Sequence, residues 1–404
     1  MTQLFKMAFR DLGRNRRRTL LSSVAVAMGL ALLLLIAGVL AGEMQGAMDN
    51  TILLQSGDLQ VRAASYNIDK TSLDWKNLIP GPAQIVDQIQ SLPQVSSATP
   101  RLLASGILTL GDNSRGVQVL GIDPQAGPNQ VFRQGLIAGD FITADDREGI
   151  MIGKPLADKF HLQPGQQINL LVNTSDGSTD QQLFTVRGVY STNTTAYDQS
   201  TVFMPLAKAQ AITGAQDHAS LIFVLLKDRN QAESVAAALQ SPSYQILTWR
   251  KMNEIIVQTE DFANAFMILF YLIVLGITAT VVTNTLVMSV FERTREIGVL
   301  SAIGMKARRI MAQFMTEAGL IATGGVIGGL ILGGIVVAIF NRYGFYVGNY
   351  GLTGMLIGDR IYAHLQSQDA VNLTIITYIV TLVASLYPAI MASRLEPVEA
   401  LHAQ

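Results

Sequence analysis

Four stretches of this chain are long and apolar enough to cross a bilayer, and that constrains the backbone more than any other feature. A hydrocarbon core about 30 Å thick takes about 20 residues of helix, because backbone N–H and C=O groups must find their partners inside the segment. The first stretch, Thr19 to Ala41 (TLLSSVAVAMGLALLLLIAGVLA), carries no charge. The second runs from about Phe262 to Val290 and the third from about Met311 to Phe340. The fourth, Val371 to Met391, reads VNLTIITYIVTLVASLYPAIM. One such run could be a buried core helix; four argue for membrane spans. The first also exceeds the apolar core of a cleaved signal peptide, about 7–15 residues, so it is read as an anchor.

Orientation follows from Lys and Arg in the short flanks. Lys6, Arg10, Arg14, Arg16, Arg17 and Arg18 precede the first span, and Arg293, Arg295, Lys306, Arg308 and Arg309 separate the second from the third. Between the third and fourth stand only Arg342 and Arg360. Both termini and the segment 291–310 are therefore expected on the cytoplasmic side, and 43–261 outside.

Composition removes several functions. A net charge of −1 leaves no basic excess for nucleic acid. The absence of cysteine removes disulfides, thiol catalysis and thiolate metal sites. His161, His218, His364 and His402 are scattered, so neither a metal site nor a catalytic residue is proposed from the sequence. GIMIGKPLAD (Gly149 to Asp158) only superficially resembles a phosphate loop: its glycine spacing is short by one, and Pro155 stands where a Ser or Thr must reach magnesium. A strand-to-helix turn is the better reading.

The fold class expected is an α-helical membrane protein with four transmembrane helices plus a large α+β extracytoplasmic domain between helices 1 and 2. The divisions are 1–18, a cytoplasmic amphipathic helix; 19–42, the first span; and 43–261, the outer domain with stalks, containing an inserted β-rich subdomain at about 124–218. Then come 262–290, the second span; 291–310, a short cytoplasmic helix; 311–340, the third span; 341–370, an outer loop; 371–391, the fourth span; and 392–404, a cytoplasmic tail. Strand-like runs such as GDLQVRA and SLIFVLL cluster instead of alternating strictly with helices, which points to α+β.

The N-terminal segment places Leu4, Phe5, Ala8, Phe9 and Leu12 at helical spacing, with Lys6, Arg10 and Arg14 on another face. That is the pattern of a helix lying at the membrane interface, with Phe5 and Phe9 toward the acyl chains and Arg10 and Arg14 toward headgroups. In FERTREIGVLSAIGMKARRI (Phe291 to Ile310) an apolar thread of Ile297, Leu300, Ala302 and Ile303 runs through dense charge. The spacing predicts pairs Glu292–Arg295 and Arg293–Glu296, with Gly298 and Gly304 permitting close approach or termination. Such a helix can dock its outer face into another protein, or be a solvated positive loop. Within the membrane, Gly325, Gly329 and Gly333 allow close helix packing. Glu317 needs a partner, for which Arg308 or Arg309 at headgroup level is expected. Asn284, with Thr283 and Thr285, is expected to hydrogen-bond between helices, and Pro388 to kink or end the fourth span.

ERTREIGVLSAIGMKARRI followed by MTEAGLIATGGVIGGLILGG resembles the FtsX-like permease signature, and YPAIMASRLEPVEALHAQ resembles that family's C-terminal signature. The opening MAFRDLGRNRRRT and SGDLQVRAASY are most similar to the branch of lipoprotein-releasing (Lol) permeases. The resemblance runs through both ends, all four spans and the outer domain. It implies the mechanotransmission class of ABC transporter subunits, which includes the MacB-type exporters. One departure is Ser301, where the family commonly has a basic residue.

What the resemblance implies is a non-enzymatic, multi-pass permease of the bacterial cytoplasmic (inner) membrane. Glu292, Arg293, Thr294, Arg295, Glu296, Ile297, Gly298, Leu300, Ile303 and Gly304 would form a coupling helix seated on a cytoplasmic ABC ATPase dimer. ATP and Mg would be bound by that partner, and no cofactor by this chain. A second permease, identical or homologous, completes the implied assembly, with lipoprotein, lipid or amphipathic cargo moved at the outer face. Cargo would enter between the first and second spans, past Met28, Leu32, Leu35, Met267 and Phe270. The alternative is an FtsX-like signalling subunit that controls an extracytoplasmic hydrolase without moving cargo.

Overall fold

The computed structural model describes residues 2–14, 16–67, 73–347 and 356–395. The tail from 396 onward, and 348–355 of the outer loop, lie outside the described residues. The principal helices are, in chain order, α1 (Thr2–Arg14), α2 (Arg16–Thr51), α3 (Pro82–Gln90), α4 (Lys154–Phe160), α5 (Leu206–Thr213), α6 (Ala232–Ala238), α7 (Glu254–Glu292), α8 (Thr294–Ala302), α9 (Ala307–Tyr343) and α10 (Ser367–Ser393). Four of them, α2, α7, α9 and α10, are long and apolar enough to span a membrane. The chain divides into two compact units: 1–44 with 260–345 and 361–404, and 45–259 with 346–360.

In the helical unit, Leu30, Leu33 and Leu34 of α2 pack with Leu275 of α7, Val326 of α9 and Leu373 of α10. Lipid tails are as apolar as leucine, so close packing must hold such helices together. Glycines supply it. A Cβ on Gly325 would stand 2.6 Å from Val26 Cβ, one on Gly329 2.8 Å from Leu30 Cβ, and one on Gly333 2.8 Å from Leu34 Cδ1. α9 therefore lies with its backbone against α2. Thr283 Oγ1 of α7 donates to the Ala384 carbonyl of α10 at 3.0 Å. Thr285 Oγ1 returns instead to Val281 of its own helix, and Asn284 is exposed, so among the described residues neither makes the interhelical bond expected of it. Pro388 is buried inside α10, which continues to Ser393 and so is not ended by it.

The second unit is built on strands β1 (Leu59–Ala63), β2 (Val95–Leu110), β3 (Asn113–Ile122), β4 (Leu136–Gly139), β5 (Gly149–Gly153), β6 (Gln167–Asn173), β7 (Thr179–Tyr190), β8 (Thr201–Pro205), β9 (Leu221–Leu226) and β10 (Tyr244–Thr248). Their order is β10-β1-β9-β2-β3-β8-β5-β7-β4, with β6 against β2 and β7. The 16-residue β2 serves two regions. Its first half pairs with β9, and its second with β3 and β6. The sheet of 124–218 is thus completed by strands that precede it, so this region is not a self-contained insert: its boundary runs through β2 and β3. A long strand can do this because its two faces and both edges remain available along its length.

One core lies among Leu102, Ile150, Phe184, Val186 and Met204, with α4 and α5 contributing Phe160 and Ile212. Another joins Leu59, Val61, Ile222 and Val224 to α3 and α6 through Ile89 and Val235. In a third, the Phe203 ring lies 4.2 Å from Phe132 and 4.5 Å from Tyr190. Leu356, from the segment after the third span, belongs to this third core. Asp359 in the same segment accepts hydrogen bonds from the Thr195 hydroxyl (2.7 Å) and amide (3.2 Å), so 356–360 is stitched into this unit. At the entrance to β1, α2 passes into one π-helical turn, Ile52–Ser56, closed by Gly57 at φ +67°. Gly149 to Asp158 forms β5 and the first turns of α4, a strand-to-helix turn.

Candidate functional site

α7 ends at Glu292 and α8 starts at Thr294; the intervening Arg293 has φ −108° and ψ 11°, outside the helical well. The predicted pairs Glu292–Arg295 and Arg293–Glu296 need a continuous helix through this point, and they do not form. Glu292 pairs instead with Arg18 of α2 at 2.5 Å, and Glu296 with Arg14 of α1. Arg18 also donates to Ser289 Oγ at 2.7 Å. Thr294 Oγ1 donates back to the Val290 and Phe291 carbonyls, tying the start of α8 to the end of α7.

Arg293 points inward. Its Nη1 donates to Glu317 Oε1 at 3.0 Å, and both side chains are buried. Arg308 and Arg309, expected to serve Glu317, are exposed. They stand nine and eight residues earlier on the same helix, about 12–14 Å along its axis, whereas Arg293 enters from the break between α7 and α8. A buried carboxylate without a cation is costly, which fixes this pairing over a looser one at the surface.

The two faces of α8 differ. Ile297 and Gly298 are buried, and Ile297 packs with Val290, Ile310, Phe314, Ala389 and Ala392. Leu300 is half-buried. Arg295, Glu296, Val299 and Ile303 are exposed, and Ile303 is 80% accessible. The helix ends in a Schellman closure: Met305 N–H bonds the Leu300 carbonyl and Gly304 N–H the Ser301 carbonyl, both at 3.0 Å. Gly304 takes φ +97°, a conformation that needs glycine.

α1 is held to the same region. Ala8 is fully buried and Leu12 packs against Val26, Val282, Leu286, Ala318 and Ile321, while Phe9 and Arg10 are exposed. The side chain of Phe5 lies outside the described residues. Met28, Leu32 and Phe270 are exposed on α2 and α7, whereas Leu35 and Met267 are partly covered. Among the described residues no cluster of His, Asp and Glu has the form of a metal site. Sequence reasoning missed Arg18 and Ser289 as partners of the α7 end. Arg18 was legible only as one of a run of topological cations, and side-chain direction alone separates it from its neighbours.

In chain order the arrangement is four helices long enough to span a membrane, a mixed α/β domain between the first two, and a short two-faced helix after the second. Residues 19–241 match the model of the MacB-like periplasmic core domain, and 268–397 that of the FtsX-like permease C-terminal domain. The chain belongs to this family of FtsX/MacB-type, Lol-like ABC transporter permeases. It is 24% identical over 405 residues to the lipoprotein-releasing system transmembrane protein LolC of Neisseria meningitidis serogroup B, covering 95% of this chain and 93% of that one. To the LolE protein of Haemophilus influenzae the identity is 22% over 399 residues, with 94% and 93% covered. To the macrolide export ATP-binding/permease protein MacB of Acinetobacter baylyi it is 23% over 417 residues, covering 99% of this chain and 59% of that one. It is a multi-pass protein of the inner membrane.

Proposed function

We propose that α8 is the coupling helix through which a separate cytoplasmic ATPase dimer moves this permease, with ATP and Mg bound by that partner. The observation that carries this reading is the division of α8 into two faces. Glu292, Arg293 and Glu296 fasten the α7–α8 corner to α2, α9 and α1, while Arg295, Val299 and Ile303 stay exposed. Force applied to the exposed face would reach three helices at once. In this reading 291–310 and both termini are cytoplasmic, in agreement with the positive flanks. A second permease, identical or homologous, stands beside this one, and α2 and α7 act as stalks into the outer domain. The cargo is a lipoprotein, lipid or other amphipathic molecule handled at the outer face; the LolC and LolE proteins named above are parts of lipoprotein-releasing systems.

The test is affinity purification from native membranes in mild detergent, comparing the parent with Val299→Asp/Ile303→Asp. Co-elution of a Walker-motif ATPase that is lost in the variant supports coupling through the exposed face. Retention of the ATPase by the variant removes it. A lipoprotein in the eluate supports transport, and an extracytoplasmic hydrolase in its place supports the signalling alternative.

A further inference from the structure

The outer unit contains a groove of about 2210 Å³ whose lining includes Gln60, Arg62, Arg101, Gln118, Leu221 and Gln245. Pairing register explains the grouping. Arg101 lies opposite Leu221, Val61 opposite Ile222, and Arg62 opposite Gln245, so Arg62 and Arg101 flank Leu221 on adjacent strands. Residues directly opposite one another in a sheet share a face. The other face carries Leu59, Val61, Ile222 and Val224 under α3 and α6. One face is therefore packed, and the other is the floor of the groove.

That floor carries two guanidiniums that are nearly removed from water, with Arg62 8% and Arg101 2% exposed. Among the described residues their hydrogen bonds go to neutral acceptors. Arg101 donates to the Leu54 carbonyl (3.1 Å) and Asn129 Oδ1 (2.8 Å), and stacks 3.6 Å from the centre of Phe223. Arg62 donates to Gln60 Oε1 (2.9 Å) and the Ser220 carbonyl (3.1 Å), and lies 4.3 Å over Tyr66. Among the described residues neither forms an ion pair. Glu233, which also lines the groove, accepts from Thr248. Among the described residues Arg101 Nε and the nearby buried Thr99 Oγ1 have no partner. Burial pulls both arginines down to about 10, which leaves them charged at neutral pH. Two positive charges set in a low-dielectric floor focus an attractive field for anions into the groove.

We propose that this groove binds an oxyanion of the phosphate type, with Arg62 as the direct donor through Nη2 and Arg101 as the fixed charge beneath. The planar fork of arginine suits phosphate oxygens, and the glutamine amides on the same face supply further donors. The groove exceeds the roughly 300–1,000 Å³ of an ordinary small-molecule pocket, so the phosphate can be carried on a larger molecule. This site is independent of how α8 is driven.

The test is calorimetric titration of the full chain in a neutral detergent, with inorganic phosphate in one arm and dodecyl phosphate in the other. Saturable binding is expected, weakened about tenfold or more by Arg62→Gln and partly restored by Arg62→Lys. Gln245→Glu, nearly isosteric and opposite Arg62, should place a carboxylate beside that guanidinium, suppress phosphate binding and raise the melting temperature. Binding of inorganic phosphate assigns the site to free oxyanions as well as headgroups, and binding of dodecyl phosphate alone assigns it to lipid. Absence of saturable binding in both arms overturns the proposal, as does binding unchanged in either Arg62→Gln or Gln245→Glu.

Discussion

Arg293 and Glu317, 24 residues apart in sequence, meet at 3.0 Å with 5% and 3% of their side chains exposed, and so bolt the corner between α7 and α8 to the second turn-pair of α9. Removing Arg293 takes a hydrogen-bonded cation away from a carboxylate that stays buried. Arg293→Met is expected to destabilise the protein by about 3–5 kcal/mol. The double variant Arg293→Met/Glu317→Leu should recover most of that loss. Thermal unfolding in detergent, arranged as a double-mutant cycle, measures the difference. A loss in the double variant equal to the sum of the losses in Arg293→Met and Glu317→Leu would show that the pair is not coupled.

The end of α8 depends on one backbone conformation. Gly304→Ala places a Cβ at φ +97° and should cost about 1–2 kcal/mol of local stability. Hydrogen exchange at the Met305 amide, which closes on Leu300 at 3.0 Å, should accelerate more than exchange in α9. Uniform acceleration in both would locate the damage elsewhere.

Glycines on α9 differ in what surrounds them. Gly329→Leu would drive its Cβ to 2.8 Å from Leu30 Cβ and 2.9 Å from the Ala27 carbonyl oxygen, and is expected to cost at least about 1–3 kcal/mol. Gly334→Ala meets nothing within 4 Å and should be neutral or slightly stabilising. Melting temperatures of the two variants, compared with the parent, separate them.

A pH dependence arises in the outer unit. Burial pushes the Asp198 carboxyl up to about 6, against hydrogen bonds from Thr192 and Ser191. Its folded pKa exceeds the unfolded value of about 3.9, so the folded state binds the extra proton between the two. This contribution to stability is fully present below about 4 and is lost as pH rises through about 6. The melting temperature of the parent should therefore rise as pH is lowered from 7 to 5. Asp198→Asn should flatten that slope. Asp146 is buried in part, but bonds from Arg187 and the Glu148 and Gly149 amides hold it below the ordinary range, so its opposite effect belongs to still lower pH. An unaltered slope in Asp198→Asn would assign the titration to another group.

The four spans are legible in the sequence because a bilayer leaves the backbone few alternatives, and a run such as Thr19 to Ala41 states its length and polarity directly. The outer α/β domain is legible for a related reason: strand-like runs cluster there, separated by polar turn-forming stretches such as 111–116 and 173–180. Partnerships were not. Glu292 and Glu296 sit at helical spacing from Arg295 and Arg293, yet one non-helical residue, Arg293, turns them toward Arg18 and Arg14. Nothing local signals that break. Arg101 gives no sequence signal of burial either: it lies in a strand that reads PRLLASG, and only the pairing of β2 with β9 places it under Phe223.

The contact between α2 and α9 runs from Val26 to Leu34 on one side and from Gly325 to Gly333 on the other, every fourth residue in step. Two rods joined along more than two turns, with bare glycine backbone on one side and Val26, Leu30 and Leu34 seated against it from the other, resist bending far better than either alone. Such a pair would act as one beam, and a push at the Ala307 end of α9 would be delivered along α2 with little lost to side-chain rearrangement. A methyl group inserted into that seam would act as a wedge, softening the beam while leaving its two helices intact.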